Sequence, residues 1–229
     1  DSFIHYRHDA ARPESIANNV VTCLFEDASR RIWAGTREGL CRLDDRERGV
    51  FTTFRRPQLL KGSTSKDTFR SITEDTSTGL LWLGASDGLA AFDPRTGAFA
   101  SFLHDPADAQ SLSRNAVNKV IRDENGQFWA LTEYGLNSFK PTFDHVATNT
   151  VQEPGIAFHR YMLLSDGTMS PGTNFVRDGL VDRKHRLWLA TRGGLQLFNR
   201  TTGSSTTYRS KSADPTSLSD GLTQAVFED

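Results

Sequence analysis

With two cysteines in 229 residues, the chain has no disulfide framework. It also lacks a basic excess. Lys plus Arg number 27 and Asp plus Glu 28, a formal net charge of −1. Without surplus cations to neutralise a phosphate backbone, a nucleic-acid partner is excluded. No run of about 18 apolar residues is present, so no transmembrane helix is predicted. Helical periodicity of useful length is missing, which counts against helical solenoids. HExxH, paired Cys/His spacing and GxSxG are all absent. The sequence therefore points to no metal, no cofactor and no catalytic residue. Methionine is scarce at 2, whereas Gly (18) and Phe (15) are plentiful. That balance leans toward β structure with many turns, and this length suits one all-β domain.

What is present is a repeat. Trp33, Trp82, Trp129 and Trp188 are spaced 49, 47 and 59 residues apart. Six residues after each comes a Gly-Leu pair: Gly39-Leu40, Gly88-Leu89, Gly135-Leu136 and Gly194-Leu195. Six or seven residues before each stands an Asp: Asp27, Asp75, Asp123 and Asp182. The one-residue play falls in a turn, where an insertion is expected to cost little. Each copy reads as four short strands, with the Trp on the second. Apolar neighbours flank every Trp, as Ile32 and Ala34 or Leu81 and Leu83 do, so both faces of that strand are expected to be buried. A small four-stranded sheet covered on both faces by copies of itself is a propeller blade, and repeats of about 40–50 residues suit that fold. Cys23 and Cys41 fall on first and third strands, roughly 9.6 Å apart at the usual strand spacing. That is beyond the reach of a disulfide, so two free thiols are expected.

The predicted class is an all-β propeller of four-stranded antiparallel blades, four complete and two partial. The complete blades span residues 18–55, 67–103, 115–149 and 173–209. Residues 150–172, rich in loop signals such as Pro154-Gly155 and Asp166-Gly167, are read as an inserted loop. Within it, the apolar run Ile156 to Leu164 is read as a hairpin or a docked lid. Residues 3–9 resemble Phe99 to Asp105 and are expected to form an outer strand within 1–10. Phe227-Glu228-Asp229 matches Phe25-Glu26-Asp27, so 220–229 is expected to form an inner strand. On that reading the chain is a piece of a larger, seven-bladed ring. Its open flanks would expose apolar sheet and favour self-association.

The segment Asn115 to Phe139, like Asn19 to Asp44 and Glu74 to Pro94, resembles the two-component regulator propeller repeat. The linkers His104-Asp105-Pro106 to Ser113 and Asp214-Pro215 to Ser219 are also similar to that family. Gly179 departs from it, standing where Leu24, Ile72 and Val120 place an apolar residue. The resemblance implies a periplasmic, non-catalytic sensor module that acts through downstream signalling domains and takes an oligosaccharide or another small polar ligand. A protein–protein interaction scaffold is the alternative, and a propeller hydrolase or lyase a third reading.

In a propeller, the second-to-third strand turns share one face with the loops that enter each blade. That places Asn19, Arg37, Glu38, Arg70, Asp87, Asn115, Glu133, Tyr134, Asn174 and Arg192 as candidate ligand contacts, because polar and aromatic groups on short loops over a rigid scaffold suit polar ligands. The pairs His8-Asp9 and His104-Asp105 occupy matching positions after outer strands and are read as parts of the repeat. Asp123 to Gly126 resembles a calcium loop but lacks the alternate ligands and distal Glu, so it is read as a turn.

Overall fold

A computed structural model describes residues 3–57, 67–146, 150–151, 156–165, 168–169 and 171–229. The first sheet runs β1 (Val21–Glu26), β2 (Ile32–Thr36), β3 (Gly39–Asp45), β4 (Val50–Phe54). The second runs β5 (Phe69–Asp75), β6 (Leu80–Ala85), β7 (Gly88–Phe92), β8 (Phe99–Phe102). The third begins with β9 (Val117–Arg122), β10 (Phe128–Thr132) and β11 (Gly135–Phe139). After β12 (Thr150–Val151), β13 (His159–Tyr161), the pair β14 (Leu164–Ser165) and β15 (Thr168–Met169), and the single-turn α1 (Pro171–Asn174), the fourth runs β16 (Val176–Val181), β17 (Leu187–Thr191), β18 (Gly194–Phe198), β19 (Ser205–Tyr208). Neighbouring strands within each blade are antiparallel and consecutive in sequence, except where β13 completes the third and β12 joins the second in parallel.

The four tryptophans occupy equivalent places on β2, β6, β10 and β17. Three seal a blade interface. Trp33 lies 5.6 Å from Phe92 of the second blade, Trp82 4.8 Å from Phe139 of the third, and Trp129 5.7 Å from Phe198 of the fourth. Trp188 packs on Tyr208 of its own blade. The inner strands β1, β5, β9 and β16 lie side by side and are cross-linked. Thr73 Oγ1 donates to Val120 O at 2.6 Å, and Asn118 Nδ2 to Val176 O at 2.7 Å.

The glycine of each Gly-Leu pair is required twice over. Gly39, Gly88, Gly135 and Gly194 all have positive φ, from 91° to 144°. A Cβ there would also collide with the backbone oxygen of Phe54, Phe102, Tyr161 or Tyr208 on the neighbouring outer strand. Only glycine tolerates both conditions.

Three expectations need correction. The outer strand of the third blade is not within 115–149. It is β13, from the segment read as an insertion, and it pairs with β11 through Leu136–Tyr161 and Ser138–His159. The excursion before it lays β12 parallel to β8, adding a fifth strand to the second blade. A hairpin near this region does exist, between β14 and β15, whereas Pro154-Gly155 and Asp166-Gly167 lie outside the described residues. Secondly, residues 3–10 and 220–229 form no strand, because neither has a ladder partner on its hydrogen-bonding edges. Both still dock on the sheets. Tyr6 packs on Phe51 at 5.4 Å, and Arg183 N–H donates to Glu228. Thirdly, the one-residue insertion before Trp82 is not free. Trp33, Trp129 and Trp188 each donate the indole N–H to their Asp, at 2.7, 3.0 and 2.8 Å. Asp75 instead turns to Ser77, and Trp82 Nε1 is buried without a partner among the described residues. Gly179, in contrast, sits regularly in β16 opposite Leu189, with Leu131 of the third blade filling the space a side chain would need.

Cys23 and Cys41 are free thiols on β1 and β3, as expected. Burial pushes Cys23 up to about 11 and raises Cys41 as well.

The turn aspartates give the fold an acid sensitivity. Burial works to raise Asp27, Asp93 and Asp182. Hydrogen bonds from Trp33 and Arg31, from Arg95 and Val146, and from Arg186 and Trp188 outweigh it, so all three carboxyls sit below the ordinary range. A carboxyl whose pKa is lower folded than unfolded binds more protons unfolded, so its contribution is present above the unfolded value and lost as pH falls through the folded one. Melting temperature is therefore expected to drop below about pH 4, the unfolded Asp range, and to drop less steeply in Asp27→Asn. Melts from pH 7 to pH 3 check this. An unchanged midpoint at pH 3 would contradict it.

Candidate functional site

The loops that enter a blade and those that join its second and third strands meet through one repeated bond. The first residue after each second strand donates its N–H to the backbone just before or at the start of the inner strand. These are Arg37 to Val20 O (3.3 Å), Ser86 to Thr68 O (3.1 Å), Glu133 to Ala116 O (3.2 Å) and Arg192 to Phe175 O (3.3 Å). Each bond carries Arg37, Glu38, Asp87, Glu133, Tyr134 or Arg192 to the same rim of its blade. The rim is held from inside by the second-strand threonines. Thr36, Thr132 and Thr191 hydroxyls each donate to the following Gly oxygen and accept an N–H from the turn.

Just inside that rim each inner strand is irregular. The pairing register shifts between Val21 and Cys23, between Phe69 and Ser71, and between Val176 and Asp178, with a matching shift in the third blade at Leu131/Thr132. A bulge re-aims the extra side chain. The re-aimed residues are Thr22, Arg70, Asn118 and Arg177; the first three reach the next blade, and Arg177 reaches the C-terminal segment docked beside the fourth. Thr22 donates to Phe69 O, Arg70 Nη1 to Asn118 Oδ1 at 2.6 Å, Asn118 Nδ2 to Val176 O, and Arg177 Nη1 to Gln224 Oε1 at 2.8 Å. Arg70 was among the sequence candidates, whereas Thr22, Asn118, Arg177 and Gln224 were missed. Their signal was a polar residue second in each inner strand, in Val-Thr-Cys, Phe-Arg-Ser, Val-Asn-Lys and Val-Arg-Asp.

The ten sequence candidates divide by what they touch. Asn19, Asn115 and Asn174 are clamps. Their Oδ1 atoms accept the backbone N–H eleven residues earlier, from His8 (2.8 Å), His104 (2.6 Å) and Leu163 (2.8 Å). Asp67 does the same for Arg56 N–H at 2.7 Å. Asn174, only 1% exposed, is enclosed by this role. The connectors carry a second repeated bond, in which Ser15, Ser111 and Ser217 accept the N–H six residues earlier, from Asp9, Asp105 and Lys211. The rings of His8 and His104 face Ile16 O and Leu112 O, so the His-Asp pairs serve the repeat. Asp123 accepts the N–H groups of Asn125 and Gln127 and so closes a turn.

Arg70, Asp87 and Glu133 are paired. Arg70 meets Glu133 at 3.3 Å, and Asp87 meets Arg56, whose side chain is 2% exposed. Glu38 is half-buried in its turn, its N–H donating to Thr36 Oγ1 at 3.1 Å, whereas Arg37, Tyr134 and Arg192 remain exposed on the rim. Arg114 lies over the Tyr134 ring at 5.2 Å and Arg192 over Phe175 at 3.6 Å. The structure thus brings Arg70 and Glu133 together with Asn118, and it sets Tyr134 and Arg192 each against a cation–π partner.

The family model described as two component regulator propeller matches residues 15–38. No curated protein sequence matches the chain. Among solved structures, the extracellular domain of a hybrid two component system from B. thetaiotaomicron is 19% identical with a TM-score of 0.51; the match covers 93% of this chain and 38% of that one. A catalytically inactive virginiamycin B lyase from Staphylococcus aureus, with quinupristin, is 10% identical with a TM-score of 0.59, over 86% of this chain and 59% of that one. An auxiliary nutrient binding protein from Bacteroides thetaiotaomicron is 8% identical with a TM-score of 0.52, over 85% and 49%. This chain therefore spans less than two thirds of each of these structures. At such identities the likeness is one of fold, which sensors, a lyase and a nutrient-binding protein share. The chain has the β-propeller fold, and its residues 15–38 match the two component regulator propeller model.

Proposed function

We propose that this chain is the non-catalytic, ligand-binding propeller module of an extracytoplasmic sensor. It takes a small polar ligand of the oligosaccharide type at the rim and passes the bound state to downstream signalling domains. The observation that carries the reading is the repeated bulge. Four inner strands give up ladder regularity to place Thr22, Arg70, Asn118 and Arg177 at the same position, each bonded to the segment beside it, under a rim bearing Arg37, Tyr134 and Arg192, and this end of the inner strands is the proposed mouth. Bulges are concentrated where a side chain must be re-aimed, and a rigid scaffold with convergent polar groups suits polar ligands. The His-Asp pairs and the thiols do not form a catalytic group. Two histidine rings face backbone carbonyls, and burial holds both thiols high. No helix among the described residues is long and apolar enough to cross a membrane.

An interaction scaffold is favoured by one observation, the exposed apolar edge of the first blade, where Leu24 is 70% accessible beside Val20 and Val21. Calorimetry of the chain against a panel of soluble oligosaccharides, with light scattering across concentrations, separates the two. Saturable binding by a monomer that is lost in Asn118→Ala supports the sensor reading. No glycan response, together with concentration-dependent self-association lost in Leu24→Ser, favours the scaffold.

A further inference from the structure

Several of the cations that lie between or beside the blades are paired with the chain's own carboxylates. Arg31 pairs with Asp27, Arg56 with Asp67 and Asp87, Arg70 with Glu133, Lys119 with Asp178, Arg186 with Asp182, and Arg200 with Asp123 and Glu124. Arg177 and Arg192 are set apart by sharing one aromatic ring. Neither has an acidic partner among the described residues, yet both guanidinium groups are held on one ring. They lie 5.5 and 3.6 Å from the centroid of Phe175. Arg192 is fixed further by its own N–H bond to Phe175 O. Arg177 gives one N–H to the neutral amide of Gln224, and its Nε is buried with no partner among the described residues.

Gathering two like charges on one ring is unfavourable unless a counter-charge arrives, and a buried N–H without an acceptor adds to that cost. The ring quadrupole attracts each cation but supplies no hydrogen-bond acceptor. Two planar forks with unspent N–H donors match an oxyanion, which accepts from such groups in pairs. Their place fits that use. Arg177 is the bulge residue of the fourth blade, and Arg192 is the rim residue above it. We infer that Arg177, Arg192 and Phe175 form an anion clamp at the rim of the fourth blade, and that it reads the carboxylate of an acidic oligosaccharide. The inference rests on the ligand-binding reading above and names the ligand class for that same site.

The test uses three probes with the whole chain: inorganic sulfate, trigalacturonate and its fully methyl-esterified form. Arginine Nε–Hε signals are followed by NMR and affinities by calorimetry. Trigalacturonate is expected to bind at least about 10-fold more tightly than its ester, equivalent to about 1.4 kcal/mol, with sulfate shifting the same two arginine signals. Arg192→Gln is expected to remove that preference, and Arg192→Lys to restore part of it. Because Arg192 is exposed, its variants test the clamp even if Arg177→Gln fails to fold. Equal binding of acid and ester, unchanged by Arg192→Gln, would overturn the clamp while leaving a ligand-binding mouth in place. Acid binding that is indifferent to both arginines would overturn it as well. Silence of both arginine signals toward sulfate and trigalacturonate would also overturn it, and the neutral-glycan panel would then decide the ligand-binding reading by itself.

Discussion

Trp82→Ala is expected to cost about 3–5 kcal/mol, the range for deleting a buried aromatic, and Trp188→Ala distinctly less. The two residues occupy the same place in their repeats, so the difference isolates the neighbouring blade. Trp82 is fully buried, and its indole meets Phe102 of its own blade together with Phe128, Phe139 and Phe143. Trp188 has Tyr208. In a repeat architecture stability is close to a sum of unit and nearest-neighbour interface contributions, so Trp82→Ala strikes a full interface. A finer comparison uses phenylalanine. Trp33→Phe removes the indole N–H that Asp27 accepts at 2.7 Å and leaves part of a buried carboxylate unsatisfied. Trp82→Phe removes an N–H that has no partner among the described residues. Losing a partnered group costs roughly 1–3 kcal/mol, whereas losing an orphan does not. Denaturant unfolding of the four variants checks the order. Equal losses for Trp33→Phe and Trp82→Phe would show that the aspartate bond contributes nothing.

Asn174→Ala is expected to be the next most damaging, at roughly 2–3 kcal/mol for a buried, multiply bonded amide. Its side chain closes on one residue from both sides, with Leu163 N–H donating to Oδ1 at 2.8 Å and Nδ2 donating to Leu163 O at 3.0 Å. Thr173 also reaches that carbonyl at 3.2 Å, which keeps it satisfied but leaves the N–H orphaned. The clamp follows the third blade's outer strand, so its loss should loosen β13 from β11. Asn19→Ala is expected to do less, because Asn19 is exposed and water can replace its oxygen. Hydrogen exchange at Leu163 and Tyr161, read beside thermal melts, tests the assignment. Were Asn174 a ligand contact instead, the variant would lose binding with its melting temperature unchanged.

Asn174 also shows where sequence reading stopped. It was chosen as a site residue because it aligns with Asn19 and Asn115 at the entry to a blade, and that alignment was correct. What alignment could not supply was the direction of the amide, which is set by an N–H eleven residues earlier, in the connection between β13 and β14. Arg177 shows the converse. Its type was visible, but its place in the mouth depends on a bulge, and a bulge is a property of how two strands pair. The exposed rim residues Arg37, Tyr134 and Arg192 were legible because turn length alone puts them outside the ladder.

The spacing of Trp, Asp and Gly-Leu was enough, without coordinates, to determine the first three strands of each blade and the place of each tryptophan. Those features are local. A positive φ at Gly39, the Asp27–Trp33 bond and two buried faces on β2 all arise within one repeat. Tertiary structure alone decided three things. It recruited His159–Tyr161 as the third blade's outer strand, since an edge left open on β11 is satisfied by whichever nearby segment reaches it. It left Trp82 without its hydrogen bond, because one extra turn residue moves Asp75 out of line while the surrounding phenylalanines hold the indole in place. And it set Arg177 and Arg192 on one ring, since which side chains converge across blades depends on how four sheets stack around an axis, and no single repeat encodes that.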